Sequence, residues 1–166
     1  AISRSNEVSP IITASAARTP SSSKMPRSIP GAGFEGASST GVPFTATTRG
    51  PGYRLQQVHG DLRSTNARVL TALSFRRNGT TATNTLAVPR TLDMQLSIGD
   101  CNYASVGPNF ASNYIGSPTV AIARKNVVTP DWQTLTTSPA PFDFTMVFAT
   151  PVVYTGVYDF LYDIQI

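Results

Sequence analysis

Five stretches of the chain alternate apolar and polar residues with a period of two, the pattern of strands with one buried and one wet face. Val69, Thr71, Leu73 and Phe75 share one face of the first. Leu92, Met94, Leu96 and Ile98 alternate with Asp93, Gln95 and Ser97, and Gly99-Asp100 is expected to end that strand. Val120 and Ile122 repeat the pattern against Ala121 and Ala123. Phe142, Phe144, Met146 and Phe148 form the heaviest stripe, with Pro151 as its expected stop. The last run sets Tyr158, Phe160, Tyr162, Ile164 and Ile166 against Asp159, Leu161, Asp163 and Gln165. Burying four such side chains contributes on the order of 6–12 kcal/mol before entropy is counted. No window carries a 3.6-residue period, so helices should be short or absent.

Residues 1–50 read differently. Pro10, Pro20, Pro26, Pro30 and Pro43 recur among Ser, Thr, Ala and Gly. Each proline removes a backbone donor and drives its predecessor toward extended geometry. Yet Ile11, Ile12, Phe34 and Phe44 punctuate the segment, as suits an arm that lies on another surface. The expected organisation is all-β: an extended arm over 1–50, then an antiparallel β-sandwich of jelly-roll-like type over 51–166.

Composition narrows the function. Charged residues are 13% of the 166, about half the typical ~25%, so Ser, Thr, Asn and Gln must carry the polar surface. The net charge is +4, and the arginines are spread from Arg4 to Arg124 with one adjacent arginine pair, Arg76-Arg77. That is too thin for a nucleic-acid reader, which clusters its charges. Cys101 and His59 are each the sole residue of their type. A disulfide framework and a cysteine-based zinc site are therefore excluded, and any catalytic triad would need His59. We expect no enzymatic activity, no cofactor and no transition metal. No run approaches the ~20 apolar residues of a membrane-spanning helix. The start at Ala1-Ile2 reads as a mature chain after removal of a leader.

The segments Ser74-Phe75-Arg76-Arg77, Leu92–Ser97, Pro141–Phe144, Phe148–Gly156 and Asp159–Ile164 together resemble uncharacterised exported proteins of planctomycetes and similar environmental bacteria, many with a C-terminal surface-sorting tail. The resemblance spans roughly residues 53–166. It implies a secreted β-sandwich without a known activity. Ile166 directly follows the last strand, so the sorting tail is expected to be absent or cleaved, and the proline-studded arm is not part of the pattern.

Other features are weaker. Asp159 and Asp163 fall on one strand face about 13 Å apart at 3.3 Å per residue, too far to share an ion, and are expected to be solvated. Asn78-Gly79-Thr80 fits a hairpin turn or a glycosylation acceptor. Trp132, Tyr103 and Tyr114 are aromatics in turn-rich sequence, the residues a carbohydrate-binding module would use. Cys101 reads as a small buried apolar residue. The expected function is an extracellular structural subunit that self-assembles into a filament or surface layer, with the arm docking on a neighbouring subunit. A jelly-roll coat protein with a basic arm and a secreted carbohydrate-binding module are the alternatives.

Overall fold

The computed structural model describes residues 52–76, 89–131 and 141–166, together with the backbone of three short strands nearer the N-terminus. The strands are β1 (Ile2–Ser3), β2 (Ile11–Ser15), β3 (Arg27–Ser28), β4 (Arg54–His59), β5 (Arg68–Phe75), β6 (Thr91–Cys101), β7 (Tyr114–Val128), β8 (Phe144–Tyr154) and β9 (Asp159–Gln165). Two single 3-10 turns, Tyr103–Ser105 and Phe110–Asn113, are the only helical elements among the described residues. The chain is all-β, as its periodicity predicts.

The strands form two sheets, β1-β4-β9-β6-β7 and β3-β2-β5-β8. Every pairing is antiparallel except β1 on β4. The registers nest. Arg54 faces Gln165 and His59 faces Phe160; Arg68 faces Tyr154 and Phe75 faces Phe144; Thr91 faces Val128 and Cys101 faces Tyr114. Strands β4, β5 and β6 thus run out along one arm of a long hairpin, and β7, β8 and β9 return along the other. Its tip is the 102–113 connection. The hairpin is wound so that β6 also pairs with β9, Ser97 opposite Asp163.

Both sheets feed one hydrophobic cluster. Leu70, Leu73, Phe75, Met94, Leu96, Ile98, Phe144, Met146, Phe148, Phe160, Tyr162 and Ile164 are all buried in it. Rings set its geometry: Phe75 meets Tyr162 edge-on at 5.9 Å, and Tyr154 meets Phe160 edge-on at 5.5 Å, arrangements that satisfy the ring quadrupoles. The Tyr162 hydroxyl donates to Gln57 Oε1, so the one polar atom of that ring is not stranded in the core.

Several boundaries differ from the periodic reading. The register slips between Leu70 and Ala72 against β8, so Leu70, Leu73 and Phe75 enter the cluster while Val69 and Thr71 are only half-buried. Strand β6 continues through Gly99-Asp100 to Cys101. In β7, Ala121 and Ile122 are both buried and Val120 is exposed, because three irregularities interrupt its pairing with β6. Strand β8 runs through Pro151 to Tyr154. It lies at a sheet edge, where a missing donor costs no ladder bond. The 155–158 turn back to β9 needs Gly156, whose φ is +81°. The Gly156 carbonyl accepts the Ser64 N–H at 3.1 Å, tying that turn to the 60–67 connection.

Candidate functional site

Strand β9 lies inside its sheet with β4 on one side and β6 on the other. Phe160, Tyr162 and Ile164 face the core. The alternate residues Asp159, Leu161 and Asp163 point the other way, and they too are buried, at 3%, 0% and 0% exposure. The expectation of a solvated carboxylate face is therefore wrong. The 102–113 connection folds back over this face, as its hydrogen bonds to Asp159 and Gln56 show. Its two turns form where Asn102 and Asn109 accept the backbone N–H two residues on, from Ala104 and Ala111. Asparagine suits this because its short amide competes with the backbone for local donors.

Asp163 is the hub of one network. Arg54 Nε lies 3.0 Å from each carboxylate oxygen, and Arg54 Nη2 donates to Oδ2 at 2.5 Å. Gln56 Nε2 and the Tyr114 hydroxyl both donate to Oδ2 at 2.8 Å. Gln56 Nε2 also donates to the Phe110 carbonyl at 3.0 Å, and its Oε1 accepts from Asn113 Nδ2 at 2.8 Å. Asn113 in turn exchanges hydrogen bonds with both backbone groups of Gly107. The Arg54 guanidinium sits 4.9 Å from the centre of the Phe110 ring, a cation–π contact. The hydrogen bond to Asp163 raises the affinity of Arg54 for its proton. Burial first, and then the Asp163 charge, push the Tyr114 phenol well above its ordinary range. Three donor side chains engage the Asp163 oxygens, and through Gln56 the network reaches Phe110 and Asn113 of the cover.

Asp159 forms a second, separate centre. Arg63 grips it with Nε on Oδ1 at 2.5 Å and Nη2 on Oδ2 at 2.9 Å. The Tyr103 backbone N–H donates to Oδ2 at 2.8 Å. Beside this pair lies an open concavity of about 500 Å³, lined by Val58, Gly60, Arg63, Asn102, Tyr103, Ala104 and Asp159. The Tyr103 residue is 54% exposed there.

The other reactive residues are enclosed. Cys101 is fully buried, and burial pushes its thiol up to about 12, the mark of an inert cysteine. The His59 ring stacks on Tyr162 at 5.7 Å, and its Nε2 has no hydrogen-bond partner among the described residues. Burial lowers its pKa to about 4, against a smaller opposing effect of Asp61. Among the described residues no three His, Cys, Asp or Glu side chains are placed to hold a metal ion.

Of the aromatics singled out in the sequence, Tyr103 stands at the surface and Tyr114 is spent on Asp163. Trp132, Phe34 and Phe44 lie outside the described residues, as does Asn78-Gly79-Thr80. Ile11 and Ile12 are in β2, where they face Ser74 and Leu73 of the same chain. Arg54, Gln56, Arg63 and Asn113 were missed. Leu161 was the available signal, since an apolar residue between two aspartates on a supposedly wet face requires a cover.

Comparison with protein-family models, with curated proteins and with solved structures finds no match. Among the described residues no helix is long and apolar enough to cross a membrane.

Proposed function

We propose that the chain is an exported structural subunit, a jelly-roll-like β-sandwich with an N-terminal arm, which self-assembles by lending that arm to a neighbouring copy. The observation that carries this reading is the place of β2. Ile11–Ser15 occupies the slot beside β5, and residues 16–53 separate it from β4. Another copy's Ile11–Ser15 presents the same backbone and the same side chains to that slot. Exchange then trades one set of hydrogen bonds for an identical set, which is why swapping an element between copies is a low-cost route to assembly. Strand addition also protects a sheet edge that would otherwise be an open template. A head-to-tail exchange leaves an open filament unless its rotation closes. Enclosure of His59 and Cys101, and saturation of Asp159 and Asp163 by donors, support a non-enzymatic role.

The nested winding of β4–β9 favours one second reading, a coat protein, because jelly rolls recur in viral shells. Electron microscopy of natively purified protein separates the two. Filaments or sheets are the expected result. Closed shells holding nucleic acid transfer the assignment to a coat, and a uniform monomer at all concentrations overturns self-assembly.

A further inference from the structure

We propose that the concavity beside Tyr103 binds a neutral saccharide, with one sugar ring stacked on the Tyr103 face and its hydroxyls bonded to Arg63 and Asn102. The proposal does not depend on the assembly reading.

The lining selects this ligand by elimination. Among the described residues, the only charged ones in its lining are Arg63 and Asp159, and they neutralise one another through two short hydrogen bonds. An anion finds no net positive charge, and the geometry of the guanidinium is already spent on one carboxylate. A cation finds Asp159 holding two Arg63 donors and the Tyr103 N–H. The occupant is therefore uncharged. It is also amphipathic, because the lining pairs the exposed Tyr103 and Val58 with the polar groups of Arg63 and Asn102. A pyranose has an apolar C–H face and a rim of hydroxyls that match these two parts.

The donors are present and fixed. Arg63 uses Nε and Nη2 on Asp159, and a guanidinium carries five N–H donors. The side chain is 51% exposed, so its other donors reach solvent while the ion pair holds the plane still. Asn102 accepts the Ala104 N–H through its Oδ1, which fixes the amide orientation, and the residue is exposed, so its NH₂ group is free to act as a donor. Tyr103 is tethered through its own backbone to Asp159. Donor groups held in place before binding, beside a ring whose backbone is tethered, lose little entropy when the ligand arrives. At about 500 Å³ the concavity falls within the usual range for small-ligand sites, roughly 300–1,000 Å³, and its openness to solvent admits the end or middle of a longer glycan.

The test is calorimetric titration of the full chain with cellohexaose, chitohexaose and mannohexaose, with heparin as the charged control. At least one neutral hexasaccharide should bind saturably. Tyr103→Ala should weaken it tenfold or more, and Tyr103→Phe should bind within about twofold of the native chain. Ala104→Trp, which keeps Tyr103 and fills the concavity, should abolish binding while the unfolding midpoint stays unchanged. Failure of all three neutral ligands overturns the proposal. So does unchanged affinity in both Tyr103→Ala and Ala104→Trp. Binding to heparin alone, lost on raising salt, overturns the neutral-ligand assignment.

Discussion

The Tyr114 hydroxyl donates to Asp163 at 2.8 Å and so fastens the start of β7 to the middle of β9 through a fully buried carboxylate. The bond joins the first residue after the 102–113 cover to the strand at the centre of the sheet. Asp163 also receives Arg54 and Gln56, so its removal takes a shared acceptor from three donors at once. Breaking a buried ion pair by deleting one partner typically costs about 3–5 kcal/mol. Asp163→Ala should lose stability in that range in urea, whereas Tyr114→Phe, which removes one donor and leaves the ion pair, should lose about 1 kcal/mol. Equal small losses for both would mean that the network does not hold the cover.

Gly156 provides a backbone test. Its φ of +81° lies in the left-handed region, and a Cβ built on it would stand 2.4 Å from the Ser64 carbonyl oxygen. Backbone cannot yield as a flexible side chain would, so Gly156→Ala must distort the 155–158 turn or the 60–67 connection. A destabilisation of about 2–4 kcal/mol is expected, combining φ strain of roughly 1–3 kcal/mol with the clash. Gly52 has φ +93° but open space around its Cβ position, and Gly52→Ala should cost less. Thermal unfolding of the two variants side by side checks the order.

Much of this fold was legible in the residues. The alternation of Met94, Leu96 and Ile98, and of Phe144, Met146 and Phe148, identifies core faces that the structure buries, because a period of two reports burial directly. The bulges were not legible. A slip such as that between Leu70 and Ala72 depends on the partner strand, and no local pattern encodes it. The candidate site was hidden for another reason. Asp159 and Asp163 alternate with core residues, so they look wet, and only the folded 102–113 connection shows otherwise. That connection is made of Asn, Ser, Ala, Gly, Pro, one Val and two isolated aromatics, with no periodicity to say that it lies down. Tyr114 was picked as an exposed ligand contact for want of any sign that Asp163 would claim its hydroxyl.

His59 sets an acid limit on stability. In the unfolded chain it titrates near its ordinary value of 6.5, and burial lowers it to about 4 in the fold. The unfolded state therefore binds the proton more readily, and stability rises with pH between these values. The contribution is complete above about 6.5 and is lost as pH falls toward 4, by about 3 kcal/mol at ~1.4 kcal/mol per pH unit. Urea midpoints measured from pH 7 to pH 4 should fall, and His59→Leu should flatten the slope over that interval. A slope unchanged in the variant would assign the acid sensitivity to carboxylates instead.

Arm exchange makes a covalent prediction. Thr13 of β2 lies opposite Ala72 of β5 in an antiparallel register, where facing Cα atoms are about 4.5–5.5 Å apart. Disulfides span Cα separations of about 4.4–6.8 Å, so Thr13→Cys with Ala72→Cys can close a bond across the slot. The native Cys101 is buried and should not compete. Oxidised as a dilute monomer, the double variant should lock each arm onto its own sheet and fail to polymerise, and reduction should restore assembly. Oxidised after assembly, the same pair should join neighbouring copies and give a ladder of covalent oligomers on a non-reducing gel. Polymers that form from the locked monomer, with no cross-links between copies in the assembled material, would place the interface on the sheets themselves and leave β2 as a strand that never leaves home.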